Sequence, residues 1–215
     1  KRKIRKNNKI LVVLDNSLEL LLTFFGTLYS HRIFIPINPN SGKNEIDYIV
    51  KKTNPSLIIT NVDFKKKVNH IKNIKKLIIS KKNFFDYLFY KNHSNKYDNF
   101  SDNRNLIAQI LFTSGSTGDP KGVVLTHRSM LVNLFDIHNA LKIKKVKPRF
   151  LSVTPLYHNN GQFIPTLLPI ILNGSTITIS PDTSLINFWP ICVKFKINYS
   201  SIMATHINYF NLQKK

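Results

Sequence analysis

The sequence predicts an α/β fold, with predominantly parallel sheets flanked by helices. Short runs rich in Ile and Val alternate with longer stretches of helical spacing, which is the pattern of successive strand–helix–strand units. The chain has 215 residues, of which 42% are hydrophobic and 11% aromatic, and this is enough to bury a sizeable core. We therefore expect one large domain or two smaller subdomains.

The first part of the chain is predicted to alternate strands and helices. Asn16, with Glu19 three residues later, resembles a capping arrangement in front of an apolar helix. Ser41 is predicted to cap a second helix, and the Asn54–Pro55 pair is expected to end it, because the residue before proline avoids helical geometry. The predicted strands of this part are 10–14, 33–37, 57–60 and 77–80.

The second part follows an Asn- and Lys-rich stretch without sustained periodicity, which we interpret as a connection. Thr126 is predicted to cap a helix with one apolar face, made of Met130, Leu131, Leu134, Phe135 and His138. The predicted strands are 106–112, 149–155, 175–179 and 199–203. We expect a first, partial α/β subdomain over 1–80, the connection over 81–105, and a truncated α/β subdomain over 106–215.

The formal net charge of +21 raises the question of a nucleic-acid or anionic-membrane partner. The lysines are spread among many Asn and Ile residues, and no aromatic–basic platform or zinc spacing accompanies them. We therefore do not expect nucleic-acid binding, while a peripheral membrane contact stays open as an alternative. The single cysteine, Cys192, is expected to pack in the core; it excludes an internal disulfide and favours the cytoplasm.

The most informative segment is a strand-exit loop that combines hydroxyls, glycines and one lysine. It reads Thr-Ser-Gly-Ser-Thr-Gly-Asp-Pro-Lys-Gly over residues 113–122 and directly follows the predicted strand 106–112. Glycines allow backbone N–H groups to approach an anion, hydroxyls donate further hydrogen bonds, and lysine supplies a mobile positive charge. The segment therefore predicts a phosphate-binding loop, in which Pro120 stiffens the turn before Lys121.

Three other glycine motifs do not match this spacing. The P-loop of mononucleotide kinases needs glycine before the lysine and Ser or Thr after it, where this chain has Pro120 and Gly122. A G-x-S-x-G nucleophile elbow would need glycine in place of Phe112, and a dinucleotide G-x-G-x-x-G is absent because position 117 is Thr. A solvated Gly/Ser-rich surface loop is the remaining alternative.

Residues 113–122 and the following Val-Val-Leu-Thr-His together resemble the phosphate-loop signature of the adenylate-forming superfamily, which includes acyl-CoA synthetases, luciferases and peptide-synthetase adenylation domains. Segments 15–17 and 34–39 are similar to the early core of that family. Thr-Pro-Leu-Tyr-His over 154–158, with Gly161, resembles its second signature. The resemblance implies the fold of the large N-terminal domain of these enzymes, without the C-terminal lid.

The resemblance also implies a two-step reaction. A carboxylate, from a fatty or small organic acid, attacks the α-phosphate of Mg-ATP to give an acyl-adenylate and pyrophosphate. A thiol of coenzyme A or of a phosphopantetheine arm then accepts the acyl group. ATP and Mg²⁺ are thus the implied cofactors and coenzyme A the implied co-substrate, with no metal ligand identified. The implied ATP-binding residues are Thr113, Ser114, Gly115, Ser116, Thr117, Gly118, Pro120, Lys121 and Gly122, and the implied acyl-pocket residues are His158, Asn159 and Gly161.

The same resemblance places the catalytic lysine of the lid and the family's threonine–glutamate motif beyond Lys215. No catalytic residue is therefore predicted within the chain, and we expect that the chain alone does not catalyse adenylation at a useful rate. One alternative is a non-catalytic nucleotide-binding protein that pairs with a second polypeptide supplying the missing motifs. A basic nucleic-acid-binding protein is a second, less favoured alternative.

The segment after the second signature has two interpretations. Asn159, Asn160 and Gln162 either face the substrate pocket or cap the helix that begins there. The Pro-Leu-Tyr-His segment that contains His158 resembles acyl-CoA synthetases more than it resembles amino-acid-activating domains. The substrate preference of those domains usually depends on an aspartate that binds the amino group. We therefore expect an organic acid as the substrate.

Overall fold

A computed structural model of the chain describes residues 7–80, 104–113, 119–144, 146–178 and 185–212. Most of the predicted connection 81–105, and residues 114–118 of the predicted phosphate loop, lie outside the described residues. The strands are β1 (Lys9–Val13), β2 (Ile33–Ile37), β3 (Leu57–Asn61), β4 (Lys75–Ile79), β5 (Ile107–Thr113), β6 (Lys121–Thr126), β7 (Arg149–Ser152), β8 (Ser175–Thr178) and β9 (Tyr199–Ser201). The helices are α1 (Leu18–Tyr29), α2 (Lys43–Thr53), α3 (Lys65–Val68), α4 (His127–Leu141), α5 (Asn159–Gln162), a π-helical turn (Phe163–Leu167), α6 (Leu168–Ile171), α7 (Phe188–Lys194) and α8 (Ala204–Leu212).

By their packing, the residues form two compact units. The first comprises residues 1–14 and 21–129, and the second comprises residues 15–20 and 130–215. Strands β5 and β6 belong to the first unit because they continue its sheet. The division at 81–105 that the sequence suggests remains a prediction, since most of that segment lies outside the described residues.

The first unit is built on a six-stranded sheet with the order β4-β3-β1-β2-β5-β6. β1 is parallel to both of its neighbours, β4 is parallel to β3, and β5 is parallel to β2. β6 runs antiparallel to β5 at the edge. Strands buried on both faces read as continuous runs of Ile and Val, and for this reason the sequence predicts β1, β2 and β3 to within one residue at each end.

Helices cover both faces of this sheet. On one face, Leu11 and Ile35 belong to a buried cluster that includes Ile46 of α2. Successive side chains of a strand point to opposite faces, so Phe34 lies on the other face. There its ring meets the ring of Phe24 from α1 edge-to-face, with centroids 5.1 Å apart. This three-layer arrangement confirms the predicted α/β fold.

The second unit contains a three-stranded parallel sheet with the order β8-β7-β9. Leu151 and Val153 form a buried cluster with Phe188 of α7. Cys192 packs against this cluster and is partly buried, and burial raises the pKa of its thiol. This environment is the one expected for a cysteine that packs and does not act as a nucleophile.

Two predicted helix caps are wrong. The side chain that caps α1 is Ser17, whose Oγ accepts a hydrogen bond from Leu20 N at 3.1 Å, and not Asn16. The N-cap position of α2 is Gly42, which has no side-chain hydrogen bond, and not Ser41. In both cases a helix does begin at this place in the sequence, but it begins one residue later than the capping pattern suggested.

The other two helix-end predictions are confirmed. Thr126 Oγ1 accepts a hydrogen bond from Ser129 N at 3.1 Å at the start of α4. Asn54 ends α2 in a left-handed conformation, with φ of 45°, and its N–H donates to the Val50 carbonyl oxygen. A short amide side chain tolerates this conformation better than most residues do, and Pro55 prevents the helix from continuing.

Helix α4 buries a narrower face than the sequence predicted. Met130 and Leu134 are buried, as expected. Leu131 and Phe135, which were predicted on the same face, are 43% and 52% exposed. Residues one position apart on a helix are separated by a wide angle, so the structure buries only the i, i+4 pair of the predicted face.

Acid is expected to weaken the fold through His206 of α8. The side chain is buried, its Nδ1 accepts a hydrogen bond from Met203 N at 3.4 Å, and desolvation lowers its pKa. Because the folded state resists protonation, the contribution of His206 to the free energy of unfolding is complete above its ordinary pKa of about 6.5 and decreases as the pH falls below that value. The urea midpoint should therefore fall over this range. A His206→Asn variant keeps an acceptor near Nδ1 but does not titrate, so its midpoint should depend less on pH; equal slopes for the two proteins would contradict this expectation.

Candidate functional site

The predicted phosphate loop connects β5 and β6 at one edge of the six-stranded sheet. Thr113, the last residue of β5, pairs with Lys121, the first residue of β6. The Thr113 hydroxyl donates a hydrogen bond to the Lys121 carbonyl oxygen at 3.5 Å. Of the predicted loop, the structure places Thr113, Pro120, Lys121 and Gly122, whereas Ser114, Gly115, Ser116, Thr117 and Gly118 lie outside the described residues.

This hairpin opens at the carboxyl edge of the parallel strands. β5 runs parallel to β2, so the chain leaves β5 at the edge where ligands bind in open α/β sheets. The side chains of Thr113 and Lys121 are exposed there. Gly122 lies opposite Phe112, and a Cβ on residue 122 would come within 3.2 Å of the Phe112 ring. Glycine thus lets the two strands pair while the neighbouring hydroxyl and ammonium groups stay accessible to an anion.

The predicted acyl-pocket segment follows β7, the central strand of the three-stranded sheet. β7 ends at Ser152, three residues earlier than predicted, where its pairing with the last residues of β8 and β9 also ends. A turn follows, in which His158 N donates a hydrogen bond to the Pro155 carbonyl oxygen at 3.0 Å. His158 then occupies the N-cap position of α5, which begins at Asn159.

The chemistry of this segment depends on two adjacent rings. The His158 and Tyr157 rings lie with centroids 4.7 Å apart. The His158 side chain is exposed to solvent in part. Desolvation by the surrounding residues nevertheless lowers the pKa of its imidazole. Burial and, to a smaller extent, the carboxylate of Asp15 raise the pKa of Tyr157. At neutral pH both side chains are therefore uncharged, and His158 can donate or accept a hydrogen bond without carrying a cation.

The three polar residues after His158 have different environments. Asn159 is exposed in the first turn of α5. Asn160 accepts a hydrogen bond from the Ser201 hydroxyl at 2.6 Å, which ties α5 to β9. Gln162 is buried, and its Nε2 donates to the Leu156 carbonyl oxygen at 2.9 Å. Asn160 and Gln162 therefore hold the segment together through hydrogen bonds, whereas Asn159 is exposed and has no such structural role among these contacts.

Gly161 is required by a close backbone approach. A Cβ on residue 161 would lie 2.3 Å from the Pro155 carbonyl oxygen and 2.9 Å from the Thr154 carbonyl oxygen. Both neighbours are backbone atoms, which cannot move aside as a flexible side chain would. The glycine that the sequence assigned to the acyl pocket thus allows α5 to pack directly on the turn that carries His158.

Asn16 contacts the predicted acyl-pocket segment, which the sequence interpretation did not expect. Its Nδ2 donates to the Thr154 carbonyl oxygen at 3.1 Å, and its Oδ1 accepts from Leu156 N at 2.8 Å. These partners lie 138 and 140 residues further along the chain, so no local pattern indicated them. The nearby Glu19 suggested a helix cap instead.

Two features are absent from the described residues. No group of three or more His, Cys, Asp or Glu side chains in the described ranges is arranged to hold a metal ion. None of the helices that the structure describes is long and apolar enough to cross a membrane. The predicted phosphate-loop residues that are placed belong to the first unit, and His158, Asn159 and Gly161 belong to the second.

Parallel α/β layers with a glycine-, hydroxyl- and lysine-bearing loop at the carboxyl edge are typical of nucleotide-binding α/β enzymes. The chain belongs to the family of AMP-binding enzymes, whose family model matches residues 1–215. The family that the two signature segments predicted is thereby confirmed.

Comparison with individual proteins agrees with this assignment. The chain is similar to the o-succinylbenzoate CoA synthetase of Bacillus subtilis, solved with its acyl-adenylate intermediate, with a TM-score of 0.81 and 18% identity over 99% of this chain and 53% of that chain. The same enzyme has also been solved with ATP and a magnesium ion. Crotonobetaine/carnitine–CoA ligase of Salmonella enteritidis is 25% identical over 224 residues, which cover 98% of this chain and 43% of that protein. The dimodular nonribosomal peptide synthase of Bacillus subtilis is 26% identical over 174 residues, 81% of this chain and 7% of that protein. The chain thus spans about half the length of the first two proteins, and far less of the third.

Proposed function

We propose that this chain forms the phosphate-loop and acid-binding part of an ATP-dependent acid–thiol ligase. In the first step a carboxylate oxygen of the acid bonds to the α-phosphorus of ATP, and the bond from that phosphorus to the pyrophosphate oxygen breaks. In the second step a thiol sulfur, which loses its proton, bonds to the acyl carbon, and AMP leaves. The products are a thioester, AMP and pyrophosphate. Membership of the AMP-binding family supports this reaction class.

The observation that carries the proposal is the hairpin at the end of β5. It brings the Thr113 hydroxyl and the Lys121 ammonium group to the carboxyl edge of the sheet, on paired residues of neighbouring strands. Donors and cations that are already in place stabilise negative charge as it builds on the departing pyrophosphate. In this proposal Thr113 and Lys121 act on the β- and γ-phosphates, together with residues 114–118. Pro120 and Gly122 shape the loop.

We assign His158, Asn159 and Gly161 to the binding of the acid. A neutral imidazole and an exposed amide offer hydrogen bonds to an uncharged or carboxylate group, but they offer no carboxylate to pair with the amino group of an amino acid. This favours a fatty or small organic acid as the substrate, and the similarity to a CoA ligase favours coenzyme A as the thiol. The similarity to a peptide synthase keeps a carrier-protein thiol and an amino acid as the second candidate.

Magnesium would enter this site with ATP. Mg²⁺ is commonly bound through one or two carboxylates and the phosphates of the substrate. No group of three acidic, His or Cys side chains among the described residues is arranged to hold a metal ion, and no protein ligand is assigned to Mg²⁺. When bound, the ion would neutralise phosphate charge.

The single cysteine, partly buried, is compatible with the proposed cytoplasmic location.

The proposal is tested by pyrophosphate exchange into ATP, measured with the purified chain and a panel of carboxylic acids that includes amino acids. Exchange that depends on one class of acid would establish adenylation and name the substrate class. MgATP binding without exchange would favour the alternative, a nucleotide-binding half that works with a second polypeptide. Retention on DNA or RNA that decreases with salt and survives Lys121→Ala, without ATP binding, would overturn the proposal in favour of a nucleic-acid-binding protein.

A further inference from the structure

The side chain of Asn16 makes an unusual two-ended contact with the segment that carries His158. It is buried and lies in the same compact unit as residues 154–162. Its amide nitrogen donates to the Thr154 carbonyl oxygen and its amide oxygen accepts from the Leu156 N–H, so that it bonds the backbone on both sides of Pro155. One side chain therefore fixes three consecutive residues.

These two backbone groups have no regular secondary structure to pair with. β7 ends at Ser152, and α5 does not begin until Asn159. A buried N–H or C=O group without a partner is costly, so the turn needs a partner from elsewhere in the chain. Asn16 supplies both a donor and an acceptor, so its side chain satisfies both of these backbone groups.

The opposite side of the same turn is also held. Gln162 donates to the Leu156 carbonyl oxygen at 2.9 Å, and Gly161 allows the Pro155 carbonyl oxygen to approach α5. Hydrogen bonds from Asn16 and from Gln162 of α5 therefore restrict the backbone conformation of the turn. His158 follows directly, and its N–H completes the turn by donating to the Pro155 carbonyl oxygen at 3.0 Å.

We propose that Asn16 is a positioning residue for acid recognition: it holds the turn 154–156 in the conformation that presents Tyr157 and His158 to the substrate. The inference rests on the proposed function, because it assigns His158 to the acid. It predicts an effect on the acid and none on ATP, since Thr113 and Lys121 belong to the other compact unit.

The first test needs no catalysis. Amide hydrogen exchange at Leu156 and the NMR titration of His158 are measured in the wild-type chain, in Asn16→Ala and in Asn16→Asp. Asn16→Ala removes both bonds, so the Leu156 amide should exchange about 10-fold faster or more, and the pKa of His158 should move toward its ordinary value as water reaches the turn. Asn16→Asp keeps an acceptor for the Leu156 N–H but loses the donor to the Thr154 carbonyl oxygen, so Leu156 should exchange more slowly than in Asn16→Ala, which makes the test informative even where Asn16→Ala does not fold.

Ser200→Ala provides a matched control. It removes another side-chain bond within the same unit, from the Ser200 hydroxyl to the Leu151 carbonyl oxygen at 2.9 Å, which joins β9 to β7 and does not touch the turn residues 154–156. A residue that only stabilises the fold would change Leu156 and His158 no more than Ser200→Ala does. Unchanged Leu156 exchange and His158 titration in Asn16→Ala, or loss of Leu156 protection in Asn16→Asp, would overturn the positioning role.

The second test separates this inference from the proposed function. Where the wild-type chain shows acid-dependent exchange, Asn16→Ala should raise the KM for the acid about 10-fold and leave the KM for ATP unchanged. An equal change in both constants would overturn the inference. Where the chain neither binds MgATP nor supports exchange with any acid, the proposed function fails, but the hydrogen-exchange and titration results still decide whether Asn16 positions the turn.

Discussion

Lys121→Ala is expected to weaken MgATP binding by about 10- to 100-fold, and to reduce any acid-dependent pyrophosphate exchange by about 100-fold or more. Lys121 is exposed at the first residue of β6, directly opposite the end of β5. A hydrogen bond to a charged group contributes more than one between neutral groups, and its loss is largest where negative charge builds during the reaction. Calorimetric titration with MgATP measures the binding effect, and the exchange assay measures the catalytic one.

The chain offers a control with the same change in charge. Lys75 is also exposed and is the first residue of an edge strand, β4, at the other side of the same sheet. Lys75→Ala removes one positive charge from a chain whose net charge is +21. It should leave the Kd for MgATP unchanged, because screening limits the effect of a distant exposed charge. A similar loss in both variants would mean that ATP responds to net charge and not to this loop.

The inner strands of the first sheet were the most predictable part of the fold. β1 and β2 lie inside the sheet, and every residue of the two strands except Lys9 is buried, so the sequence supplies apolar residues at all the buried positions. A continuous run of this kind is visible without any knowledge of the partner strands. The same holds for β3, which pairs on both sides.

β6 shows why an edge strand is hard to predict. It begins with Lys121 and Gly122, and its adjacent residues Val123 and Val124 are both about half exposed, at 46% and 52%. The strand therefore has neither the continuous burial of a central strand nor the alternation of a half-buried one. Its conformation depends on pairing with β5, and a single sequence does not display that pairing.

The residues of the candidate site also differ in how well the sequence predicts them. The order of glycines, hydroxyls and lysine over 113–122 indicated a phosphate loop because that chemistry is local. The turn before His158 is held by Asn16, which is distant in sequence, and by Gln162, whose buried amide looked like a substrate contact or a cap. A hydrogen bond between residues 140 positions apart leaves no trace in residue spacing, so the contact made by Asn16 was missed, whereas Lys121 and His158 were named as candidate site residues from local patterns.

The second large effect is expected from Gly161→Ala, which should lower the free energy of unfolding by about 3 kcal/mol. A Cβ on residue 161 would lie 2.3 Å from the Pro155 carbonyl oxygen and 2.8 Å from the Pro155 carbonyl carbon. Either α5 or the turn must shift to relieve this overlap, and both are anchored by other contacts, including the bond from Gln162 to Leu156. Urea unfolding followed by tryptophan fluorescence measures the effect, because the chain's one tryptophan, Trp189, lies in the same compact unit.

Gly26→Ala is the matched control and should have the opposite sign. Gly26 lies within α1, and a Cβ there would meet no atom within 4 Å. Alanine costs less conformational entropy than glycine in a helix, so this variant should be more stable by about 0.5 to 1 kcal/mol. The same chemical change is thus expected to stabilise at one site and destabilise at the other, with the difference set by the backbone of Pro155. Because Gly26 belongs to the other compact unit, its variant is followed by far-ultraviolet circular dichroism, which reports the helices of both units. If both variants unfolded at the same urea concentration by this measurement, the close contact between α5 and the turn would be wrong, and so would the support it gives to His158.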